Sequence, residues 1–518
     1  MLFVGATLNI YQYVSHSADR YPEKTAIICS QQELSFSELM DKVDLVATNL
    51  VGQGVCPGDH IALFASNSID FAVALLAAAR IGLVVAPLPV GLKGIALANS
   101  LSSTKSQFVI AWYATASRIV EAGLLDRSCI ITLGRSLEGC VSFDHLQSSL
   151  QGGSSAFDRL DNIPQPDADA DFILTLTSGS TGQPKPIVFS QRTKITRAFN
   201  ATVDYYGLSS DDVFLVSTPL YHSLAQRSLL APLMIGATVA IMPKFSVSGW
   251  LEYVARCRVS FMFSVSSQLK ALLPRLQSGD LSSIRCIVSS SATLTQEDKH
   301  LLIKALNCSL HECYGASELG VVTDFTVNDK DAPTASVGKP LPIVQVKICS
   351  ESREELPFGS IGEIACRSET EFKGYFDQPE QTQLAMDSDG YFYTGDLGYM
   401  DASGYLYFCG RKKEVIKSGG ISIYPADIEA VIARVDGIDQ CAAIGVPDAQ
   451  FGEVIWLAYT VKQSDDVALK ALMQAAMNEL LDYQLPRRYI KFDQFPKTEL
   501  GKVLKPQIKQ RLLGSSVV

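Results

Sequence analysis

Histidine is scarce in this sequence, six in 518 residues, and its twelve cysteines never form a close CxxC pair. Neither a zinc site built from clustered His and Cys nor a disulfide framework is expected, and the thiols read as reduced and mostly buried, as in a cytoplasmic protein. Basic residues are also in deficit, 44 Lys and Arg against 54 Asp and Glu, for a formal charge of −10. That balance weighs against a nucleic-acid surface. No apolar run is long enough to span a membrane. The greasiest, "FAVALLAAARIGLVVAPLPVGL" at 71–92, is interrupted by Arg80, Gly82 and Pro87, and reads as a buried helix ending near Arg80 followed by a strand. The start lacks a basic region ahead of an apolar core, so no signal peptide is expected. Internal repeats and low-complexity tracts are missing as well.

What is present is a chain too long for one hydrophobic core, with 47% hydrophobic and 9% aromatic residues, so two or more well-filled domains are expected. From residue 23 to about 160, strand-like runs ("KTAIIC", "HIALFA") alternate with apolar helical segments ("SFSELMDKVDLVATNLV", "DFAVALLAAARIG"). That rhythm indicates α/β layers. The polar stretch at 151–171 reads as a surface connection. Beyond it, "DDVFLVSTPL", "GATVAIM", "VSFMFSVSS" and "IRCIVSSSATL" are apolar almost throughout, as strands covered on both faces should be. Near residue 410, "GYLYFCGRKKEVIKSGG" passes from aromatic strand to basic residues to paired glycines. The expected architecture is therefore α/β: a large multi-layer N-terminal domain with buried sheets (1–409), a hinge (410–413) and a small α+β domain (414–518), with the junction suited to movement.

Between two apolar stretches lies "TLTSGSTGQPKPIV", residues 175–188. Thr177, Ser178, Gly179, Ser180, Thr181 and Gly182 crowd hydroxyls and flexible backbone into one turn, which can form an anion nest, and Lys185 adds charge. The Gly-Lys-Ser/Thr ending of a P-loop is absent. Later, "CYGASELG" sets Tyr314 and Glu318 around a small-residue bend, and Glu318 suits Mg²⁺, which needs few protein carboxylates when phosphate and water supply the rest. "YTGDLG" presents Asp396, and Arg411 follows about fifteen residues later; a carboxylate can accept from both hydroxyls of a ribose. "FPKTELGKVLK" places Lys502 after a turn glycine.

Together these stretches, with the "YH" pair at 221–222, "YGASE", "GRKKEVIKSGG" and "PKTELGK", resemble in order and spacing the superfamily of adenylate-forming enzymes. It includes acyl- and aryl-CoA synthetases, peptide-synthetase adenylation domains and beetle luciferases. The likeness covers nearly the whole chain, and the pattern is most like that of stand-alone acyl- or aryl-CoA ligases. It implies a reaction in two halves: a carboxylate attacks the α-phosphorus of ATP to give acyl-AMP and pyrophosphate, and a thiol, usually of coenzyme A, takes the acyl group and releases AMP. It further implies that loop 177–182 with Lys185 holds phosphates, that Glu318 holds Mg²⁺ with Ser317 (in place of the usual Thr) near the α-phosphate, and that Asp396 and Arg411 bind ribose. By the same resemblance, Tyr314 and the backbone around Ser290, Ser291 and Ala292 would line adenine, Lys502 would be the adenylation lysine, Lys413 the pivot, and Gly419 and Gly420 would border the pantetheine path.

For the acid, the resemblance assigns Tyr221 and His222 to the pocket, with His222 near the substrate carboxylate. Gln226, Ser291, Ala292, Cys313 and Gly315 are further wall candidates. "YHSLAQRSLLAPLM" offers no acid to pair with an ammonium group, which disfavours an α-amino acid substrate and favours an aromatic, cyclic or medium-length acid. Two departures stand out: Pro186 replaces a glycine after Lys185, removing an N–H, and Ser290 and Ser291 fall where small residues are usual. Coenzyme A is the expected acceptor. A discrete carrier protein and an amine such as an amino acid are its rivals, and a non-catalytic nucleotide binder and a luciferase-like oxygenase are the competing classes.

Overall fold

The computed structural model describes residues 8–148, 160, 162–177, 185–290, 294–329, 332–462, 469–498 and 501–514. Of the connection expected at 151–171, residues 151–159 and 161 fall outside them. Four sheets organise the described residues. The first has nine strands, ordered Lys339–Pro340, Gly320–Thr326, Ser309–Ala316, Cys286–Ser290, Phe261–Val265, Val213–Val216, Thr238–Ile241, Thr25–Cys29 and Gln32–Ser35. Its six central strands, from Ser309–Ala316 to Thr25–Cys29, run parallel. The second has eight strands, with a parallel centre built on Val84–Pro87, His60–Phe64, Phe108–Trp112 and Ile130–Leu133.

Alternate residues of the same strands enter different cores, which is why these strands read as unbroken apolar runs. Phe214 and Val216 face a core shared with Ile61, Leu63 and Val85 of the eight-stranded sheet, filled by helices Ile10–Arg20, Phe36–Gly52, Ile69–Ile81 and Ser223–Ile235. Leu215 and Met262 face outward onto Trp250, Leu269 and Leu302, and Ala62 and Phe64 face outward onto Leu97, Leu101 and Ile119. The result is helix, sheet, helix, sheet, helix. The greasy stretch is the central helix, Ile69–Ile81, capped by the Ser68 side chain and ended by Gly82 at φ 86°, with the strand Val84–Pro87 after it.

Val344–Cys349, Gly362–Ser368, Phe392–Met400 and Leu406–Arg411 make a four-stranded antiparallel sheet. The last sheet begins at Ile416–Ser418. It pairs Ile438–Asp448 with Gly452–Val461, and adds Ile421–Ile423 and Arg488–Lys491. Its two faces are covered by separate small cores, one around Ile428 and Leu472, the other around Trp456, Ile508 and Leu512. A large α/β unit with buried sheets and a smaller C-terminal α+β unit are thus both present. All twelve cysteines are free, five buried, six partly buried and Cys56 exposed. Among the described residues no helix is long and apolar enough to cross a membrane.

Candidate active site

In the nine-stranded sheet, the chain leaves Val213–Val216, adds Thr238–Ile241 on one side, and returns to add Phe261–Val265 on the other. The strand order therefore reverses between Val213–Val216 and Phe261–Val265, the kind of switch point at whose strand carboxyl ends ligands bind in open α/β sheets. Ser217 and Gln268 tie the two ends together, Oγ to Oε1 at 3.1 Å and Nε2 to the Ser217 carbonyl at 3.0 Å. Of the predicted site residues, Tyr221 and His222 follow strand Val213–Val216 and Ser290 ends the strand beside Phe261–Val265, whereas Gly419 and Gly420 lie in a turn of the last sheet.

After Val213–Val216, Asn67 fixes the loop by donating to the carbonyls of Thr218 and Met242 and accepting from the Leu220 N–H. That turn delivers Tyr221 and His222, their rings 4.5 Å apart, at the start of helix Ser223–Ile235. Burial lowers the His222 pKa to about 4, so the ring is neutral at pH 7, and its Nε2 has no hydrogen-bond partner among the described residues. Gln226, one turn on, is fully buried; its Oε1 accepts from Lys194 at 2.7 Å, and its Nε2 has no partner among the described residues.

The hairpin Ser309–Ala316 and Gly320–Thr326 carries the next group. Gly315 is required sterically, because a Cβ there would lie 2.0 Å from the Gly320 carbonyl oxygen. A register shift between Tyr314 and Gly315 turns the tyrosine toward the four-stranded sheet, where its hydroxyl donates to Asp396 at 2.8 Å. Cys313, on the opposite face, contacts Tyr206 and Asp324 instead. The tight turn of this hairpin presents Ser317 and Glu318. From behind, Arg197 donates to both their carbonyls, at 3.2 and 3.0 Å. From the side, Tyr375 donates to the Glu318 carboxylate at 2.9 Å. Sequence reasoning missed Tyr375 and Arg197, which come from distant strands and helices.

Asp396 and Arg411 are cross-strand partners, which explains how residues fifteen apart in the chain meet. Arg411 Nε lies 2.8 Å from Asp396 Oδ1. That oxygen is nonetheless buried without an aligned hydrogen bond among the described residues. Burial pushes the Asp396 carboxyl pKa up, against the opposing pull of Arg411, Tyr314 and Lys502. Lys502 sits at the rim, on a hairpin where its N–H donates to Thr498 Oγ1 and its carbonyl accepts from the Thr498 N–H. Its side chain reaches solvent through the cleft, yet the protein crowding it lowers its pKa, and Arg411 and Lys413 push the same way while Asp396 and Glu414 oppose. Gly501, at φ 84°, presses the hairpin onto Ser267 after strand Phe261–Val265, where an added Cβ would lie 2.7 Å from the serine side chain.

Lys413 sits in the short turn Lys412–Glu414; Lys412 pairs with Glu363 of the four-stranded sheet, and Glu414 pairs with Lys505 of the C-terminal helix. Gly419 and Gly420 form a positive-φ turn, and the Gly419 N–H donates to the Phe451 carbonyl. Phe451 lines a cavity of about 320 Å³ with Trp456, Arg487, Arg488 and the Val446–Asp448 stretch. Lys185 reaches Gln381 Oε1 at 3.2 Å and lies over the Tyr375 ring. Pro186 is inside strand Lys185–Ser190, where its carbonyl accepts from the Phe376 N–H and its missing donor is tolerated near the strand start. Ser290 ends its strand. Ser178, Gly179, Ser180, Thr181, Gly182, Ser291 and Ala292 lie outside the described residues, and only the backbone of Thr177 is described.

Chemically, the site offers a buried carboxylate oxygen without an aligned donor, one carboxylate on a tight turn, a neutral imidazole and an exposed lysine. That donor set fits a ribose at Asp396 and a nucleotide-borne cation at Glu318. Residues 14–376 match the model of the AMP-binding enzyme family and residues 427–502 that of the AMP-binding enzyme C-terminal domain. An indoleacetate–CoA ligase of Aromatoleum aromaticum is 29% identical over 97% of this chain and 98% of its own length. ATP-bound MatB from Rhodopseudomonas palustris superposes with a TM-score of 0.87 at 26% identity, covering 97% of this chain and 99% of that one. The amide bond synthetase McbA from Marinactinospora thermotolerans does so with a TM-score of 0.86 at 25% identity, covering 97% and 99%.

Proposed function

The chain belongs to the AMP-binding enzyme family of ATP-dependent, acid-activating ligases, and from that premise we propose that it is an acyl-CoA or aryl-CoA ligase acting on an aromatic, cyclic or medium-length carboxylic acid in a reducing, cytoplasmic setting. The observation that carries the reading is the Asp396–Arg411 pair, within electrostatic reach of Lys502 and with a buried Asp396 oxygen that lacks an aligned donor. In the first half-reaction a substrate carboxylate oxygen bonds to the α-phosphorus of ATP as the bond to pyrophosphate breaks. No protein nucleophile is needed, so the protein's task is positioning and charge stabilisation. Asp396 and Arg411 hold the ribose, Tyr314 flanks the adenine, and loop 177–182 with Lys185 holds the phosphates. Lys502 draws the two anions together, and neutral His222 orients the incoming carboxylate. Mg²⁺, held by Glu318 in a position steadied by Tyr375, would neutralise phosphate charge.

In the second half-reaction the thiol of coenzyme A attacks the acyl carbonyl and AMP leaves with the bonding electrons. The acceptor assignment draws on the cavity beside Gly419. It is basic and aromatic, with Arg487 over Phe451 and Arg488 over Trp456, the combination that suits a phosphorylated adenine nucleotide. Turning about Lys413 would exchange Lys502 for the Lys417–Gly420 segment at the acyl-adenylate. The likeness to an amide bond synthetase keeps amide formation as the second reading, with a carrier-protein thiol behind it. A screen of acids against coenzyme A and amino acids, following pyrophosphate and AMP and identifying products by mass, separates them. The expected result is a thioester that K502A abolishes. An amide formed without thiol transfers the assignment to amide synthesis, and no acid-dependent pyrophosphate from any acid refutes the ligase.

A further inference from the structure

Behind the hairpin turn that carries Ser317 and Glu318, three cations are buried together: Lys194, Arg197 and Arg227, at 4%, 1% and 5% exposure. Lys194 and Arg197 stack on the same Phe189 ring, at 4.2 and 4.3 Å, and share Ser223 Oγ. Arg197 and Arg227 converge on Gly320, reaching within 3.3 and 3.2 Å of the place a Cβ would occupy there. Two of the three are satisfied. Lys194 donates to Gln226, and Arg197 donates to the carbonyls of Thr370, Ser317 and Glu318. Arg227 differs: its Nε and Nη1 are buried with no hydrogen-bond partner among the described residues, and its guanidinium lies over the Phe263 ring, within electrostatic reach of Tyr206 and Cys313.

A buried guanidinium without an acceptor is costly, and two like charges beside it raise the cost. Among the described residues, the carboxylate acting on this cluster, that of Glu318 on Arg197, is already engaged by Tyr375. The unpaired groups are donors (Arg227 Nε and Nη1, Gln226 Nε2), and with His222 they lie along one helix whose N-terminus holds the reacting end of the acid.

We propose that the substrate acid carries a second anionic group, a carboxylate or sulfonate, and that Arg227, aided by Gln226 Nε2 and the field of Lys194 and Arg197, binds it. This rests on the ligase reading above and names the substrate class of that same site. Five residues of helix separate His222 from Arg227, a rise of roughly 7 Å. The preferred acids therefore have about four to six bonds between their acidic groups: linear diacids of intermediate length, benzene dicarboxylates and their sulfo-carboxylate analogues.

The test is ATP-dependent pyrophosphate release with matched acids: C4 to C8 dicarboxylates, the three benzene dicarboxylates and sulfobenzoates, each beside the monoacid in which methyl or hydrogen replaces the second acid group. Wild type should favour the diacid. R227M should lower kcat/KM for the diacid about 100-fold and reverse the preference toward the monoacid, whereas R227K should recover part of the diacid rate. Unfolding of R227M without ligand should occur at or above the wild-type temperature, since it removes an unpaired buried charge. Monoacids used as well as diacids by wild type, or an R227M loss equal for both members of each pair, would overturn the second-anion assignment and leave the ligase standing. Failure of every acid in both series would overturn the ligase reading itself.

Discussion

The contact between Gly501 and Ser267 makes the two-step reading testable by one methyl group. In G501A the new Cβ meets two costs. At φ 84° an alanine is strained by about 1 kcal/mol wherever the hairpin sits. In the arrangement seen here the Cβ also lies 2.7 Å from both Cβ and Oγ of Ser267, closer than any relaxed contact, and overpacking of this kind costs about 1–3 kcal/mol. The first cost is carried in every position of the C-terminal unit. The second arises only when Lys502 is delivered to Asp396 and Arg411.

Adenylation by G501A should therefore fall by about 5- to 100-fold, while transfer from preformed acyl-adenylate to coenzyme A should change little. Rapid-quench measurement of pyrophosphate formation, and of thioester from supplied acyl-adenylate, separates the two steps. S267G removes both atoms that the new methyl meets, so the double variant should regain most of the lost adenylation rate. Equal loss in both half-reactions with no recovery in the double variant would show that the docking seen here is not the one used to form the adenylate.

D396N replaces an acceptor facing the ribose by a donor facing Arg411; discrimination between ATP and 2′,3′-dideoxy-ATP, expected at roughly 100-fold in wild type from two buried hydrogen bonds, should largely vanish, and unchanged discrimination would remove Asp396 from the ribose site. His222 contributes to acid sensitivity with a definite sign. Its folded pKa of about 4 lies below the ordinary 6.5, so the unfolded chain takes up the proton first, and this contribution is intact above pH 6.5 and lost as the pH falls toward 4. Urea unfolding should show wild type losing about 3 kcal/mol more than H222Q across that window, and parallel curves would place His222 in a wetter setting. R197M strands three carbonyls and should cost about 3–5 kcal/mol of stability while raising KM for both MgATP and the acid; R197K should not rescue it, because three divergent carbonyls need the planar fork.

The layers were legible because strands buried on both faces cannot hide their composition: "HIALF", "VFLV", "TVAI" and "FMFSV" are where the apolar runs put them. The central helix expected to end near Arg80 ends at Ile81, before Gly82. Asp396, Arg411 and Lys502 were legible as motif residues, but the pairing of the first two and the approach of the hairpin carrying Lys502 were not. They depend on the cross-strand register of two strands and on a glycine small enough to dock beside Ser267, neither of which periodicity encodes. The buried cations were illegible altogether. A lysine or arginine in "QRTKITRAFN" or "YHSLAQRSLL" reads by default as a solvated face, and only the shared Phe189 ring and the bare Cα of Gly320 bring three of them inside.

That bare Cα also bears on how the two proposed substrates would be coupled. Gly315 and Gly320 let the hairpin strands close without side chains between them, so its turn is held by Arg197, on the side proposed for the acid, and by Tyr375, on the side proposed for the nucleotide. One rigid turn thus carries the carboxylate proposed for the metal and rests on the cations proposed for the distal end of the acid. An acid that neutralises those cations relieves the repulsion pressing on Arg197, and with it on the backbone that aims Glu318. In this arrangement the charge of the second acid group contributes to nucleotide placement as well as to its own affinity, which is a physical reason for a ligase to keep an unpaired arginine in its interior.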